Sequence, residues 1–195
     1  MPCHQSRNTA KMHLPHLWLM SDERVGDEAL LAAVKRLPRG AGVIFRHYSL
    51  SSLERQSLFH QVQGITRRRK LMLIVAGSER LALAWKADGF HGRTGHKRHC
   101  RHLVQTAPVH NPTEIRKAER SGAHLLLLSP LFPTRSHPHA TGVGRIRFAF
   151  FARQARRPVI ALGGMTATQE KILRQLKAYG WAAIDGLSKT PNNSE

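Results

Sequence analysis

The chain has 195 residues, with 31 Lys+Arg against 12 Asp+Glu, a formal net charge of +19, and 41% hydrophobic residues. That length and apolar share suit one soluble α/β domain with a sizeable core. Two cysteines, Cys3 and Cys100, exclude a disulfide scaffold and fit a reducing compartment. No apolar run approaches the ~20 residues of a membrane span. The polar stretch Met1 to His13 lacks a signal-peptide core, so a flexible tail (residues 1–13) on a cytoplasmic protein is expected.

The chain then alternates regularly. Leu17 to Met20 is a short apolar run ending in Ser21-Asp22, a first strand. Asp27 to Leu37 carries Leu30, Ala33, Val34 and Leu37 at helical spacing and stops at Pro38 and Gly40. Gly42 to Phe45 is the second strand and delivers Arg46-His47-Tyr48 to its end. Ser51 and Glu54 form a capping-box pair that opens a helix through about Gln63. Leu71 to Ala76 is a third buried strand, and Ser78 caps a short helix from Glu79 to Lys86. Ala87 to His91 and Leu103 to Ala107 read as the fourth and fifth strands. Asn111 as cap, Pro112 at the first helical position and Glu114 start the next helix, which ends near Ser121-Gly122. Ala123 to Leu128 is the sixth strand, followed by a long polar loop from Ser129 to Gly144 and a helix from Arg145 to Arg156.

Val159 to Leu162, the seventh strand, runs straight into Gly163-Gly164. Thr166 and Gln169 follow as a capping-box pair, then an amphipathic helix from Glu170 to Ala178 and an eighth strand from Trp181 to Ile184. A strand, a bare glycine turn and a helix start gather free N–H groups around one small volume, as a backbone phosphate cradle does. The other reading of Gly163-Gly164 is a tight turn. Eight strands alternating with helices, with no hairpin signals, predict a parallel sheet. Eight units predict an α/β fold closed as a (βα)8 barrel with its active face at the strand C-termini. An open doubly wound sheet is the alternative, but there the glycine turn would follow the first strand.

The high positive charge favours polyanions, either phosphorylated small molecules in a cationic cleft or nucleic acid. A solvated basic surface is the other reading. The charge is dispersed, and neither Arg67-Arg68-Arg69-Lys70 nor His96 to His102 is interleaved with aromatics as an RNA-binding signature would be.

Several strand ends carry a resemblance. Ser129-Pro130-Leu131-Phe132-Pro133-Thr134, Ala161-Leu162-Gly163-Gly164-Met165, Ala87 to His91, Val109-His110-Asn111, Leu17 to Asp22 and Arg46 occur in the order and spacing of one family. From about Leu17 to Leu187 the chain resembles the thiamine-phosphate synthase and thiazole tautomerase superfamily, a compact TIM-barrel group. The resemblance implies a barrel over residues 14–190 with a short tail at 191–195. It implies a transferase of thiamine biosynthesis that joins a hydroxymethylpyrimidine diphosphate to a thiazole phosphate and releases pyrophosphate with Mg²⁺ help. By the same resemblance Gly163 and Gly164 match the thiazole-phosphate cradle, Thr134 lies on the thiazole side, and Arg46 faces the pyrophosphate.

The departures from the family lie mainly in the diphosphate half. Ala76-Gly77 stands where synthases carry an Asn-Asp pair, and Gly92 to His96 where they carry a further Asp, so the magnesium ligands are absent. His47 and Tyr48 replace an acid and a lysine, His137 a lysine, and Asp185 a phosphate-binding serine. Two accounts fit. Protein cations such as Arg46, Arg93, His96 and Lys97 replace the metal, since arginine binds phosphate oxygens bidentately. Alternatively, a thiazole-phosphate pocket survives without synthase chemistry and His110 shuttles a proton, as in the tautomerases. His110 also reads as a plain helix-entry residue. His91, at a strand end, is a candidate substrate contact or a packed rim histidine. Arg135, His137 and His139 lie in the loop that would close over substrate. His96, His99, Cys100 and His102 invite a metal reading, but Lys97, Arg98 and Arg101 among them favour a solvated basic loop. A non-catalytic barrel binding a phosphorylated ligand or RNA is the remaining alternative.

Overall fold

The computed structural model describes residues 13–92, 100, 102–133 and 142–188. Its strands are β1 (Leu17–Met20), β2 (Gly42–Phe45), β3 (Met72–Ala76), β4 (Gly89–His91), β5 (Val104–Val109), β6 (Leu125–Leu128), β7 (Val159–Leu162) and β8 (Gly180–Ala183). They close into one barrel in chain order, every neighbouring pair parallel. The helices are α1 (Asp27–Arg36), α2 (Ser52–Arg69), α3 (Glu79–Ala84), α4 (Pro112–Arg120), α5 (Gly144–Gln154) and α6 (Asp185–Ser188). This is the expected (βα)8 barrel.

Most of the apolar runs are uninterrupted because the strands are buried on both faces; His91 in β4 and Gln105 and Thr106 in β5 are the buried polar exceptions. Alternate side chains point opposite ways along a strand. Trp18, Ile44, Ile74, Leu125, Leu127 and Ile160 fill the barrel interior, while Leu19, Val43, Leu73, Leu126 and Leu128 pack outward against the helices. Gly42 pairs with Trp18 across β1 and β2, and a Cβ on Gly42 would lie 2.3 Å from the indole. The interior therefore takes one indole at that level because its neighbour has no side chain. The indole N–H donates to the Pro15 carbonyl at 2.8 Å.

Three elements depart from the sequence reading. First, α2 continues through Gly64 to Arg69, burying Ile65 and Thr66, and Lys70 closes it in the left-handed region at φ 55°. The basic cluster is thus its last turn, where cations face the negative end of the helix dipole. Second, β5 runs on through Pro108 to Val109. The Thr106 carbonyl accepts from Gly92 on the β4 side, so two residues later the Pro108 nitrogen faces where β4 has already ended. No ladder bond is lost there. Third, the amphipathic segment before β8 is a 3-10 stretch, Ala167–Ile172, followed by turns. Its bonds are mostly short-range, Gln169 N–H to Thr166 and Leu173 N–H to Glu170, and Leu173 and Leu176 still cover the barrel. No helix among the described residues is long and apolar enough to cross a membrane.

Candidate active site

The strand C-termini place Arg46, His91, His110 and the Gly163-Gly164 pair at one end of the barrel. After β1 and β2, the Arg46 Nη2–H donates to Asp22 Oδ2 at 2.8 Å and Nε–H to the Ser21 carbonyl at 2.7 Å. Asp22 also takes two bonds from Arg24, at 2.8 and 3.0 Å. Those Arg24 bonds chiefly, with the Arg46 charge, hold the Asp22 carboxyl down at about 2 against the opposing effect of burial. The Ser21 hydroxyl oxygen accepts from the Arg46 N–H at 2.8 Å and pairs with His47 Nδ1 at 3.0 Å. His47 is buried at φ 44°, stacked on Phe45, with Nε2 4.0 Å from Asp27, and burial lowers its pKa.

A second arginine, not singled out from sequence, joins this face. Arg55 in the first turn of α2 donates from Nε to the Arg46 carbonyl at 2.8 Å and from Nη2 to the Ala76 carbonyl at 2.6 Å. Its guanidinium lies 5.3 Å from the Tyr48 ring centroid and 5.4 Å from that of Trp85. Burial draws its pKa down, yet a guanidinium remains charged in a protein. One signal was available: an arginine in a helix's first turn opposes the dipole rule, and a broken local rule often marks a site.

His91 ends β4 with Nδ1 2.8 Å from Thr106 Oγ1. Burial, and secondarily the charge of Arg46, lower its pKa to about 4, so it is neutral at working pH and electrically coupled to Arg46. His110 follows β5 and is exposed; its backbone N–H donates to Glu114 Oε2 at 3.0 Å. His110 Nδ1 lies 2.7 Å from the Ser129 carbonyl. A carbonyl only accepts, so Nδ1 carries the proton and the neutral ring keeps its lone pair on Nε2.

At the end of β7, Gly163 and Gly164 have φ of 100° and 64°, a region that favours glycine. A Cβ on Gly163 would meet Pro130 Cα at 2.8 Å, and one on Gly164 would meet Phe132 Cβ and the Pro133 carbonyl, each at 2.8 Å. The pair is therefore needed by the fold, to seat the loop after β6, as well as leaving backbone bare. Beside it is a cavity of about 60 Å³ walled by Leu162 to Met165 and Ala183 to Gly186. Asp185 at this wall acts electrostatically on Arg24. Among the described residues, the N–H groups of Gly164 and Met165 donate to no acceptor.

The structure thus brings Arg46, His91 and Arg55 together around β2 to β4, sets His110 beside the β6 loop, and puts the glycine pair against β8. Thr134, Arg93 and His137, with His96, Lys97, Arg135 and His139, lie outside the described residues.

A family model described as thiamine monophosphate synthase matches residues 17–187. A protein of Aquifex aeolicus named "Putative thiamine-phosphate synthase 2" is 30% identical over 181 residues, covering 89% of this chain and 97% of its own. A thiamine-phosphate synthase of Chlorobium limicola is 29% identical, covering 90% and 87%. Among solved structures, a thiamine phosphate pyrophosphorylase from Pyrococcus furiosus superposes with a TM-score of 0.77 at 22% identity, over 92% of this chain and 90% of that one. The chain belongs to the thiamine monophosphate synthase family.

Magnesium, implied for that family, requires oxygen ligands and usually carboxylates. At the end of β3 the Ala76 carbonyl is already bonded to a guanidinium, and the stretch from Gly92 to Arg101 contains no Asp or Glu. Asp22 is bridged by two arginines. Among the described residues no three His, Cys, Asp or Glu side chains converge as a metal site. The residues present here do not fit the ion.

Proposed function

We propose that this protein is a transferase of the thiamine-phosphate synthase type, acting on a pyrimidine-methyl diphosphate and a thiazole phosphate. The observation that carries the reading is the small cavity between Gly163-Gly164 and Gly186, with N–H groups at Gly164 and Met165 on its wall that have no acceptor among the described residues. Such a cradle suits the phosphate of the thiazole. The remaining chemistry then falls to the β2–β4 side. The methylene carbon–oxygen bond breaks with its electron pair leaving on the diphosphate, and the thiazole nitrogen lone pair forms the new carbon–nitrogen bond. Cations on that side stabilise charge as it develops on the leaving group. Arg46, His91, Arg93 and His137 are assigned to the diphosphate and Thr134 to the thiazole; Arg93, His137 and Thr134 carry these roles by sequence position alone. The test supplies both substrates to the purified chain, with and without magnesium, and follows thiamine phosphate. Thiazole phosphate that binds without any product under either condition would remove this reading.

A second reading has its own observation. The Ser129 carbonyl fixes the His110 proton on Nδ1 and leaves Nε2 as a base on the open face. That arrangement suits proton shuttling in a thiazole phosphate carboxylate, the tautomerase reaction. Isomerisation in the absence of the pyrimidine substrate, lost in His110→Gln, is its expected signature.

A further inference from the structure

We propose that Arg55 is the fixed cation of the diphosphate half of the site, meeting the leaving group at the β3 end, where the residues present give a divalent ion no ligands. The inference rests on the synthase reading above and extends it to a residue that the sequence motifs pass over.

Four observations carry it. The Arg55 guanidinium is anchored by two strand-end carbonyls, Arg46 at 2.8 Å and Ala76 at 2.6 Å. These use two of its five N–H donors, and among the described residues the other three have no acceptor. Tyr48 and Trp85 flank the plane at 5.3 and 5.4 Å, which holds its orientation before any ligand arrives. The charges of Arg46 and Arg55 also differ in availability. Arg46 is ion-paired with Asp22 at 2.8 Å, whereas among the described residues Arg55 has no carboxylate within ion-pair distance, and Glu23 acts on it only at longer range. Finally, the strand ends beside it are short-chained among the described residues, with Ala76 closing β3, Gly77 following it and Gly92 following β4.

The chemistry follows from charge. As the carbon–oxygen bond breaks, negative charge accumulates on the departing diphosphate. A positioned planar fork with spare donors stabilises that charge more than it stabilises the bound substrate. A compact metal ion is not needed at that point, and beside a guanidinium it would be repelled.

Titration calorimetry with inorganic pyrophosphate on the full chain, in excess EDTA, tests this directly. The wild type is expected to bind under chelation. Arg55→Met should weaken that binding at least tenfold while thiazole-phosphate affinity changes less than twofold, and Arg55→Lys should fall between. Pyrophosphate binding by the wild type that requires added magnesium overturns the proposal, and this arm needs no variant to fold. Equal binding by wild type and Arg55→Met overturns it as well. The turnover assay separates the two readings. Chelator-resistant pyrophosphate binding that depends on Arg55, without turnover, supports the role of Arg55 and sinks the synthase reading; magnesium-dependent turnover does the reverse.

Discussion

His91 closes β4 with its ring buried against Thr106, and its pKa falls from 6.5 to about 4. The folded value lies below the unfolded one, so the unfolded chain binds the proton first. Stability is therefore complete above about pH 6.5 and declines as pH falls towards 4, by roughly 3 kcal/mol at most. His47, lowered by burial, acts in the same direction. Urea midpoints measured at pH 7, 5.5 and 4 should fall steadily for the wild type and much less for His91→Asn; parallel slopes would contradict the assignment. Asp22 works in a lower window. Its folded pKa of about 2 lies below the ordinary 3.8, so its contribution, on the order of 2 kcal/mol, is present above 3.8 and lost on acidification through 2. Asp22→Asn should remove that contribution at neutral pH, and it should release the Arg46 guanidinium from its ion pair. At this scale the sequence was only partly legible. Arg46 stands out from its strand-end position, but that Asp22 engages its charge depends on where β1 and β2 lie in space. Arg55 belongs to no motif, and only its place against the helix dipole marks it, because its partners are backbone carbonyls, which any residue can supply.

At the scale of the element, Gly42 and Trp18 behave as one unit inside the barrel. Gly42→Ala drives a methyl into the indole, where the contact would be 2.3 Å, and overpacking of this kind costs roughly 1–3 kcal/mol. Trp18→Leu combined with Gly42→Ala should cost less than the two changes summed, and a double-mutant cycle by urea denaturation measures the coupling. The α2 start is a second case. Ser51 and Glu54 form a complete capping box, and this cap holds the turn from which Arg55 reaches across to β3. Ser51→Ala should cost about 1 kcal/mol. Most strands were legible, since a strand buried on both faces tends to leave an unbroken apolar run, whereas β4 and β5, with His91, Gln105 and Thr106, were read from their place in the alternation. The segment before β8 was not legible. Thr166, Gln169 and the spacing of Leu173 and Leu176 are equally compatible with an α-helix and with the 3-10 stretch and turns observed, and only the short span back to β8 separates them.

For the whole molecule, the alternation of eight apolar runs specified a parallel sheet, because parallel strands need crossovers and the chain supplies them; the count of eight pointed to closure over the open doubly wound alternative, and the barrel is closed. Charge is the other property that belongs to the molecule as a whole. A net +19 draws phosphorylated substrates toward the protein from a distance, and salt screens that field over about 10 Å at 0.1 M. For phosphorylated substrates, kcat/KM should drop several-fold between 20 and 200 mM salt with kcat nearly constant. A salt-independent kcat/KM would show that capture depends on contact alone.

The ring that flanks Arg55 has an optical consequence. Trp85 is one of three tryptophans in the chain, and Trp18 and Trp181 are buried elsewhere, at strand positions in β1 and β8. An excited indole is strongly dipolar, so its emission responds to a charge 5.4 Å away. Arrival of an anion at that guanidinium should therefore change the intrinsic fluorescence of the untouched protein, and Trp85→Phe should abolish the signal, so that occupancy of this half of the barrel mouth can be followed in real time without a label.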